Sequence, residues 1–315
     1  MIKIYNSITE LVGQTPLLRL GNLTTKLKLN AEILAKCEMY NPLFSVKDRV
    51  ALAMIEAAEK KGVTKDTVFV EATSGNTGIG LAGICAARGY RLIIVMPENM
   101  SAEKISLIRQ FGAEVMLTPA TDGMQGSLNK IAILKQRNNN LIEFKQFSNI
   151  ANIEAHQLTT AAEIIQDLSG NVDAIVCAVG TAGTLTGLAS TIKSYNPDLY
   201  VMAVEPAESA VLSGKPKGVH RIGGIGAGFV PPFYKPDLVN EVFTVSSEAA
   251  FNMTKIIAQT EGIPAGVSSS AALISAINLA KREEMNGKNI VVIFPDSIER
   301  YLSDSFFKFK NQGEL

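Results

Sequence analysis

Short apolar runs recur along the chain, and several are followed by a longer stretch with helical spacing. VFVEA (68–72), RLIIVM (91–96), AIVCAV (174–179), YVMAVEP (200–206) and NIVVIFP (289–295) are rich in Val and Ile and apolar at successive positions. Strands apolar on both faces suit a parallel sheet covered by helices on both sides. NTGIGLAGICAARG and GTLTGLASTIKSY are helical patterns that follow two of these runs. The alternation predicts α/β architecture with right-handed crossovers. The 315 residues suffice for about two domains at roughly 150 residues each. No low-complexity linker separates two halves, so the domains are expected to intertwine.

The order strand, Thr/Gly-rich loop, helix occurs in EATSGNTGIGLAG and again in AVGTAGTLTGLAS. This is an echo rather than a true repeat. Backbone N–H groups where such a loop opens a helix can hold an anion. Two loops of this kind suggest one site with two anionic groups to hold.

Composition narrows the classes. No apolar run approaches the ~18 residues of a membrane span. The N-terminus MIKIYNSITELVGQTP lacks the basic and apolar regions of a signal peptide. A cytoplasmic protein is expected. Thirty basic residues balance thirty acidic ones, which leaves no electrostatic reason to expect nucleic acid or an anionic membrane as partner. Cys37, Cys85 and Cys177 form no C-x-x-C pair, and Cys85 and Cys177 read as buried thiols. The only histidines, His156 and His220, suggest neither a metal site nor a Ser-His-Asp triad.

Four stretches could carry chemistry. In NPLFSVKDRVALAMIEAAEKKG (41–62), Ser45 can cap a helix, with Asp48 three residues on as in a variant capping box. Val50, Leu52, Met54 and Ile55 mark its buried face and Gly62 its end. Lys47 then stands in the first turn, where the helix dipole disfavours a cation. A solvated lysine that tolerates this is the simpler account of the stretch alone. The functional account is an amine of lowered pKa suited to Schiff-base chemistry. In EATSGNTG (71–78), Thr73, Ser74, Asn76 and Thr77 offer donors suited to a carboxylate, although an ordinary capped turn looks similar. VGTAGTLTG (179–187) suits a phosphate but is weak alone, and it does not match G-x-G-x-x-G. GNTGIGLAG has the wrong spacing too, which disfavours a nicotinamide cofactor. In VVIFPDSIERYL (291–302), Ser297 lies beyond a strand end, where open α/β sheets place ligands.

These stretches, together with VGQTPLLRL, NP-x-x-SVKDR, MPENMS, QFSN, GT-x-GT-x-TG, VEP, GIGAGF, AG-x-SS and ERYLS, follow one family's order from near residue 8 to near residue 305. The chain resembles the cysteine synthase (O-acetylserine sulfhydrylase) family, within the cysteine synthase/cystathionine β-synthase group of fold-type II pyridoxal-phosphate enzymes. The resemblance implies two doubly wound three-layer domains with mostly parallel sheets and pyridoxal 5'-phosphate in the cleft between them. Residues 46–150 would form the smaller mobile domain, and 1–45 with 151–315 the larger one. Lys47 would be the catalytic Schiff-base lysine, and Asn76 would bond the cofactor's ring hydroxyl. Gly180, Thr181, Ala182, Gly183 and Thr184 would hold its phosphate, and Ser297 would face its pyridine nitrogen. Thr73, Ser74, Gly75, Thr77 and Gln146 would hold the substrate carboxylate. The stretch 224–228, with Gly226 and Ala227, would line the substrate entrance.

The reaction so implied replaces the acetoxy group of O-acetyl-L-serine by sulfide through an α-aminoacrylate, giving L-cysteine and acetate. A neutral hydroxyl at the ring nitrogen favours such eliminations over transamination. O-phosphoserine as donor, or a cystathionine β-synthase-like reaction, are the neighbouring alternatives; O-phosphoserine would need a cation near the leaving group, and Arg221 lies close in sequence to the entrance loop, although a surface role is the simpler account of it. A homodimer, and binding of a serine acetyltransferase C-terminal peptide, are also implied. Two positions depart from relatives: Ala182 and Ser270 stand where many have glycine. An alanine at 182 is strained if that position needs φ > 0.

Overall fold

The computed structural model describes residues 4–73, 75–138 and 140–307. Ten strands form two sheets. They are β1 (Leu17–Arg19), β2 (Glu32–Cys37), β3 (Val68–Ala72), β4 (Arg91–Pro97), β5 (Glu114–Thr118), β6 (Leu141–Glu143), β7 (Ala174–Ala178), β8 (Tyr200–Pro206), β9 (Glu241–Val245) and β10 (Asn289–Phe294). One sheet has the order β5-β4-β3-β6 and is parallel throughout. The other has the order β1-β2-β10-β7-β8-β9, with only β1 antiparallel. The five runs expected from the sequence are strands β3, β4, β7, β8 and β10, with ends that differ by at most one residue. β1, β2, β5, β6 and β9 were not anticipated.

The helices are α1 (Gly21–Leu27), α2 (Lys47–Lys60), α3 (Asn76–Arg88), α4 (Ala102–Gln110), α5 (Gly123–Arg137), α6 (Ala151–Ala155), α7 (Ala161–Asp167), α8 (Gly183–Tyr195), α9 (Ser247–Glu261) and α10 (Val267–Ala280). None of them is long and apolar enough to cross a membrane among the described residues. Each sheet is sandwiched. In β10, Ile290, Val292 and Phe294 join the core formed with α1, α9 and α10. The intervening Val291 and Ile293 join the core under α7 and α8. In β3, Phe69 packs with α2, α3 and α4, whereas Val68, Val70 and Ala72 face α5. Successive strand side chains point to opposite faces, so a run buried on both sides is apolar at nearly every position. That is the physical reason the continuous runs were legible. The buried Glu71 and Glu205 that interrupt β3 and β8 accept backbone N–H groups instead.

The Lys47 helix starts differently from the capping-box reading. Its N-cap position is Val46, which offers no side-chain cap. Ser45 Oγ accepts the Lys47 N–H at 3.3 Å instead, and Asp48 accepts the Leu43 N–H at 2.6 Å. The carboxylate thus closes the preceding loop rather than the helix end. Lys47 still occupies the first turn, and the helix stops before Gly62 at φ +84°.

A buried ionic cluster joins this helix to the larger sheet. Arg49 is 3% exposed. Its Nε and Nη2 donate to the Glu38 carboxylate at 2.7 and 2.9 Å, beyond the end of β2. Its Nη1 and Nη2 donate to Glu163 on α7 at 2.6 and 2.8 Å. Lys36 on β2 adds a contact to Glu163 at 2.9 Å and donates to the Thr15 carbonyl at 2.6 Å. Burial acts to raise the Glu163 carboxyl, but Arg49 and Lys36 outweigh it and hold it at about 2.

Removing one member strands the others. Arg49→Met leaves Glu38 buried without its cation and is expected to destabilise by about 3–5 kcal/mol, read from urea unfolding of the cofactor-free protein. The Glu163 contribution has a defined pH window. Its folded pKa lies below the ordinary 4.5, so the stabilisation is full above that value and is lost as pH falls toward about 2. Glu163→Gln should flatten the acid limb of the unfolding midpoint plotted against pH.

Candidate active site

The strand ends of the two sheets bring together segments remote in sequence. The Val46 N–H donates to the Pro295 carbonyl at 2.8 Å, and Ser45 pairs with Asp296 across an isolated bridge. The start of α2 is thereby fastened to the end of β10. Lys47 is half-buried, and no hydrogen bond or ion pair engages its Nζ among the described residues. Burial lowers its amine to about 8, against the opposing pull of Asp296. A substantial neutral fraction near pH 8 is what an amine nucleophile or base requires.

Asp296 was not singled out from the sequence. It is fully buried, and its Oδ2 accepts from Asn76 Nδ2 and from the Tyr301 hydroxyl, both at 2.6 Å. Burial raises its pKa. Asn76 heads α3, so this contact ties the smaller sheet's first loop to the larger sheet. Ser297 sits beside it at the N-cap of the turn Ile298–Tyr301, where its Oγ accepts the Glu299 N–H at 3.3 Å. Its hydroxyl is thus partly committed to local capping. The serines at the start of α10 lie against the same strand end, with Ser269 Oγ donating to the Asp296 carbonyl at 3.3 Å.

Thr73 and Gly75 lie between β3 and α3, and Thr77 is in the first turn of α3; Ser74 lies outside the described residues. Thr77 Oγ1 donates to Gln146 Oε1 at 2.7 Å. Gln146 is held in turn by Glu71, whose carboxylate accepts the Lys145 and Gln146 N–H groups at 2.8 and 3.2 Å. Phe144 stacks on Phe69 with centroids 4.6 Å apart and anchors the segment leading to it. Lys104, in the first turn of α4, is a further cation here that sequence reading missed. A Cβ at Gly75 would meet its Nζ at 4.0 Å, and the Nζ lies 5.0 Å from the Tyr301 ring centroid.

The loop Gly180–Thr184 opens α8. Thr181 Oγ1 accepts the Gly183 N–H at 3.2 Å and Asn152 Nδ2 at 3.0 Å. The same Asn152 amide donates to the Gln146 carbonyl at 2.8 Å. One buried asparagine therefore links the two loops. A Cβ at Gly183 would meet Asn152 Oδ1 at 2.1 Å, so only glycine allows this approach. A Cβ at Gly180 would meet the Gly224 carbonyl at 2.4 Å, which seats the 224–228 segment, with Gly226 and Ala227, against the loop. Gly226 donates its N–H to the Val179 carbonyl at 3.0 Å. Ala182 adopts φ +66°, ψ +1°, the left-handed conformation anticipated as strained.

Arg221 does not reach this region as a free cation. It pairs with Asp304 and stacks on Phe251 at 4.8 Å. Ser270 is buried in α10.

The full-length comparisons agree with the arrangement. A family model described as pyridoxal-phosphate dependent enzyme matches residues 8–296. The chain belongs to this family. A cysteine synthase of Staphylococcus aureus is 43% identical over 310 residues, covering 98% of either chain. The crystal structure of a cysteine synthase from Entamoeba histolytica superposes with a TM-score of 0.94 at 41% identity, covering 99% of this chain and 93% of that one. A hydrogen sulfide-producing enzyme from Fusobacterium nucleatum gives 0.92 at 42%, covering 96% and 99%.

The residues present fit pyridoxal phosphate. Asn76 Oδ1, Asn152 Oδ1, Ser270 Oγ and Asp296 Oδ1 are buried without hydrogen-bond partners among the described residues. A buried polar atom left unpaired is costly, and four gathered around one set of strand ends indicate that a polar group belongs there. Thr181 accepts from Gly183 and Asn152 and keeps its own hydroxyl proton to donate at the start of α8, as a phosphate requires.

The strain at 182 is directly measurable. Ala182→Gly should raise stability of the cofactor-free protein by about 1 kcal/mol, visible as a higher urea midpoint. An unchanged or lower midpoint would show that the alanine methyl contributes more by packing than the left-handed backbone costs.

Proposed function

We propose that this protein is a cysteine synthase, replacing the acetoxy group of O-acetyl-L-serine by sulfide to give L-cysteine and acetate. The observation that carries the reading is Lys47: an unengaged, half-buried amine with its pKa lowered to about 8, at a helix start between two anion-binding loops. The full-length likeness to cysteine synthases supports the same choice.

Bound pyridoxal phosphate supplies an electron sink for negative charge at the substrate α-carbon. In this reading Lys47 holds the cofactor aldehyde, then as a free amine takes the α-proton and later returns it. Asn76 donates to the ring hydroxyl, steadied by Asp296. Gly180, Thr181, Ala182, Gly183 and Thr184 hold the phosphate. Thr73, Ser74, Gly75 and Thr77, with Gln146, orient the substrate carboxylate and so set which α-bond faces Lys47. Ser297 offers a hydroxyl rather than a carboxylate to the pyridine nitrogen, which favours elimination. Gly226 and Ala227 line the entrance. Residues 46–150 would move against the remainder to close the cleft and exclude water.

Arg221 is engaged by Asp304 and does not serve an O-phosphoserine donor in this reading, which leaves Lys104 as the cation such a donor would need. The protein is proposed to be cytoplasmic and homodimeric, and to bind the C-terminal peptide of a serine acetyltransferase in the same cleft.

Lys47→Ala should reduce turnover of O-acetylserine and sulfide to background, measured as cysteine formed; undiminished turnover would sink the assignment. The sign of the pH effect is also set. Only the neutral amine attacks an aldehyde, so cofactor uptake by the cofactor-free protein should quicken with pH and level off above about 8, followed by visible absorbance.

A further inference from the structure

His156 has no part in the reading above, yet it is fully buried beside the phosphate loop. It begins a π-helical turn, His156–Thr160, inserted between α6 and α7. Such insertions are rare and are often found at functional sites. The ring bridges two hydroxyls. Its Nδ1 lies 3.0 Å from Thr160 Oγ1 and its Nε2 lies 3.1 Å from Thr184 Oγ1. A Cβ at Gly187 would meet the His156 Cβ at 2.7 Å, so α8 is seated directly against the turn.

Burial, reinforced by the charges of Lys47 and Arg49, lowers the imidazole pKa well below its ordinary 6.5. The ring is neutral and carries one proton. Two arrangements satisfy both hydrogen bonds. With the proton on Nδ1, the ring donates to Thr160 and must accept the Thr184 hydroxyl proton at Nε2. With the proton on Nε2, the ring donates to Thr184 and accepts from Thr160. A hydroxyl has one proton to give. In the first arrangement Thr184 has spent it on the ring and turns only lone pairs toward an anion. In the second, Thr184 keeps its proton for that anion.

We infer that His156 is a positioning residue: as the Nε2–H tautomer it holds the Thr184 hydroxyl as a donor to the cofactor phosphate. The inference rests on reading Thr184 as a phosphate ligand. It assigns the π-helical turn a task, which is to bring a ring from a neighbouring helix to a hydroxyl that must point outward.

The chain has only two histidines, which makes the tautomer observable. Nitrogen-15 NMR of the cofactor-loaded protein, with His220 assigned through His220→Gln, should show His156 protonated at Nε2 and bare at Nδ1. A proton on Nδ1, or on both nitrogens, overturns the inference, and no variant at 156 is needed to see it. Affinity supplies the second arm. His156→Gln should weaken pyridoxal phosphate by about tenfold while leaving pyridoxal, which lacks the phosphate, unchanged. The loss should largely vanish in a Thr184→Val background. Equal loss for both ligands, or equal loss in both backgrounds, marks a structural role only and defeats the proposal. If Thr184→Val by itself leaves pyridoxal phosphate affinity intact, the phosphate-loop reading fails at that residue. If it weakens binding and His156 carries its proton on Nδ1, only the role of His156 fails.

Discussion

An arginine side chain removed from water and surrounded by carboxylates determines where Lys47 can stand. Arg49 follows Lys47 by two positions on α2 and is gripped by Glu38 from the end of β2 and by Glu163 from α7. Such a cluster adds little net stability, since desolvating the ions consumes most of what their attraction returns. It does exact a specific geometry, because any other placement of α2 leaves a buried charge without a partner. The bond from Val46 to the Pro295 carbonyl secures the same helix start from the other side. Lys47 is thus pinned between two attachments and supports neither with its own amine.

The electrostatics of the cleft follow from that placement. Lys47 is desolvated, and Asp296 is the charge that offsets the penalty. Asp296 is in turn occupied by Asn76 and Tyr301 through one oxygen, leaving the other unpaired. The cleft therefore holds polar groups whose needs the polypeptide does not meet. Two loops bound to each other through Asn152 surround this deficit. The hydroxyl and backbone donors of the loop at 180–184 suit an anionic group, which agrees with membership in the pyridoxal-phosphate dependent family.

Hydroxyls rather than cations line the loop at 180–184, and their usefulness depends on proton direction. Thr181 accepts from Gly183 and Asn152. It therefore retains its own proton to donate. Thr184 retains its proton only if its histidine partner donates to it. In the proposed reading, neutral ligation of a phosphate by this loop is a matter of who supplies each proton, and that is decided one residue beyond the loop itself.

The sequence by itself determined the layered α/β architecture, because strands buried on both faces are apolar at nearly every position, as in β3, β7, β8 and β10, apart from Asn289 at a strand end and the buried Glu71 and Glu205. It also determined that Lys47 lies in a first helical turn and that threonine- and glycine-rich loops open α3 and α8. Those features are local, and local spacing reports them. It did not disclose the partly exposed strands β5, β6 and β9, whose patterns lack a continuous apolar run. It gave Asp48 a capping role that the folded chain spends on the Leu43 loop, and it favoured a surface role for Arg221 over a donor-site cation, as its pairing with Asp304 bears out. Asp296, Lys104, Asn152 and His156 carry no motif of their own. Their meaning comes from tertiary contacts, such as Asn76 with Asp296 between the two sheets' strand ends and Thr184 with His156 between neighbouring helices, which local sequence does not report. Lone polar residues at strand ends and helix faces are common in any chain, and burial is what turns these few into a site.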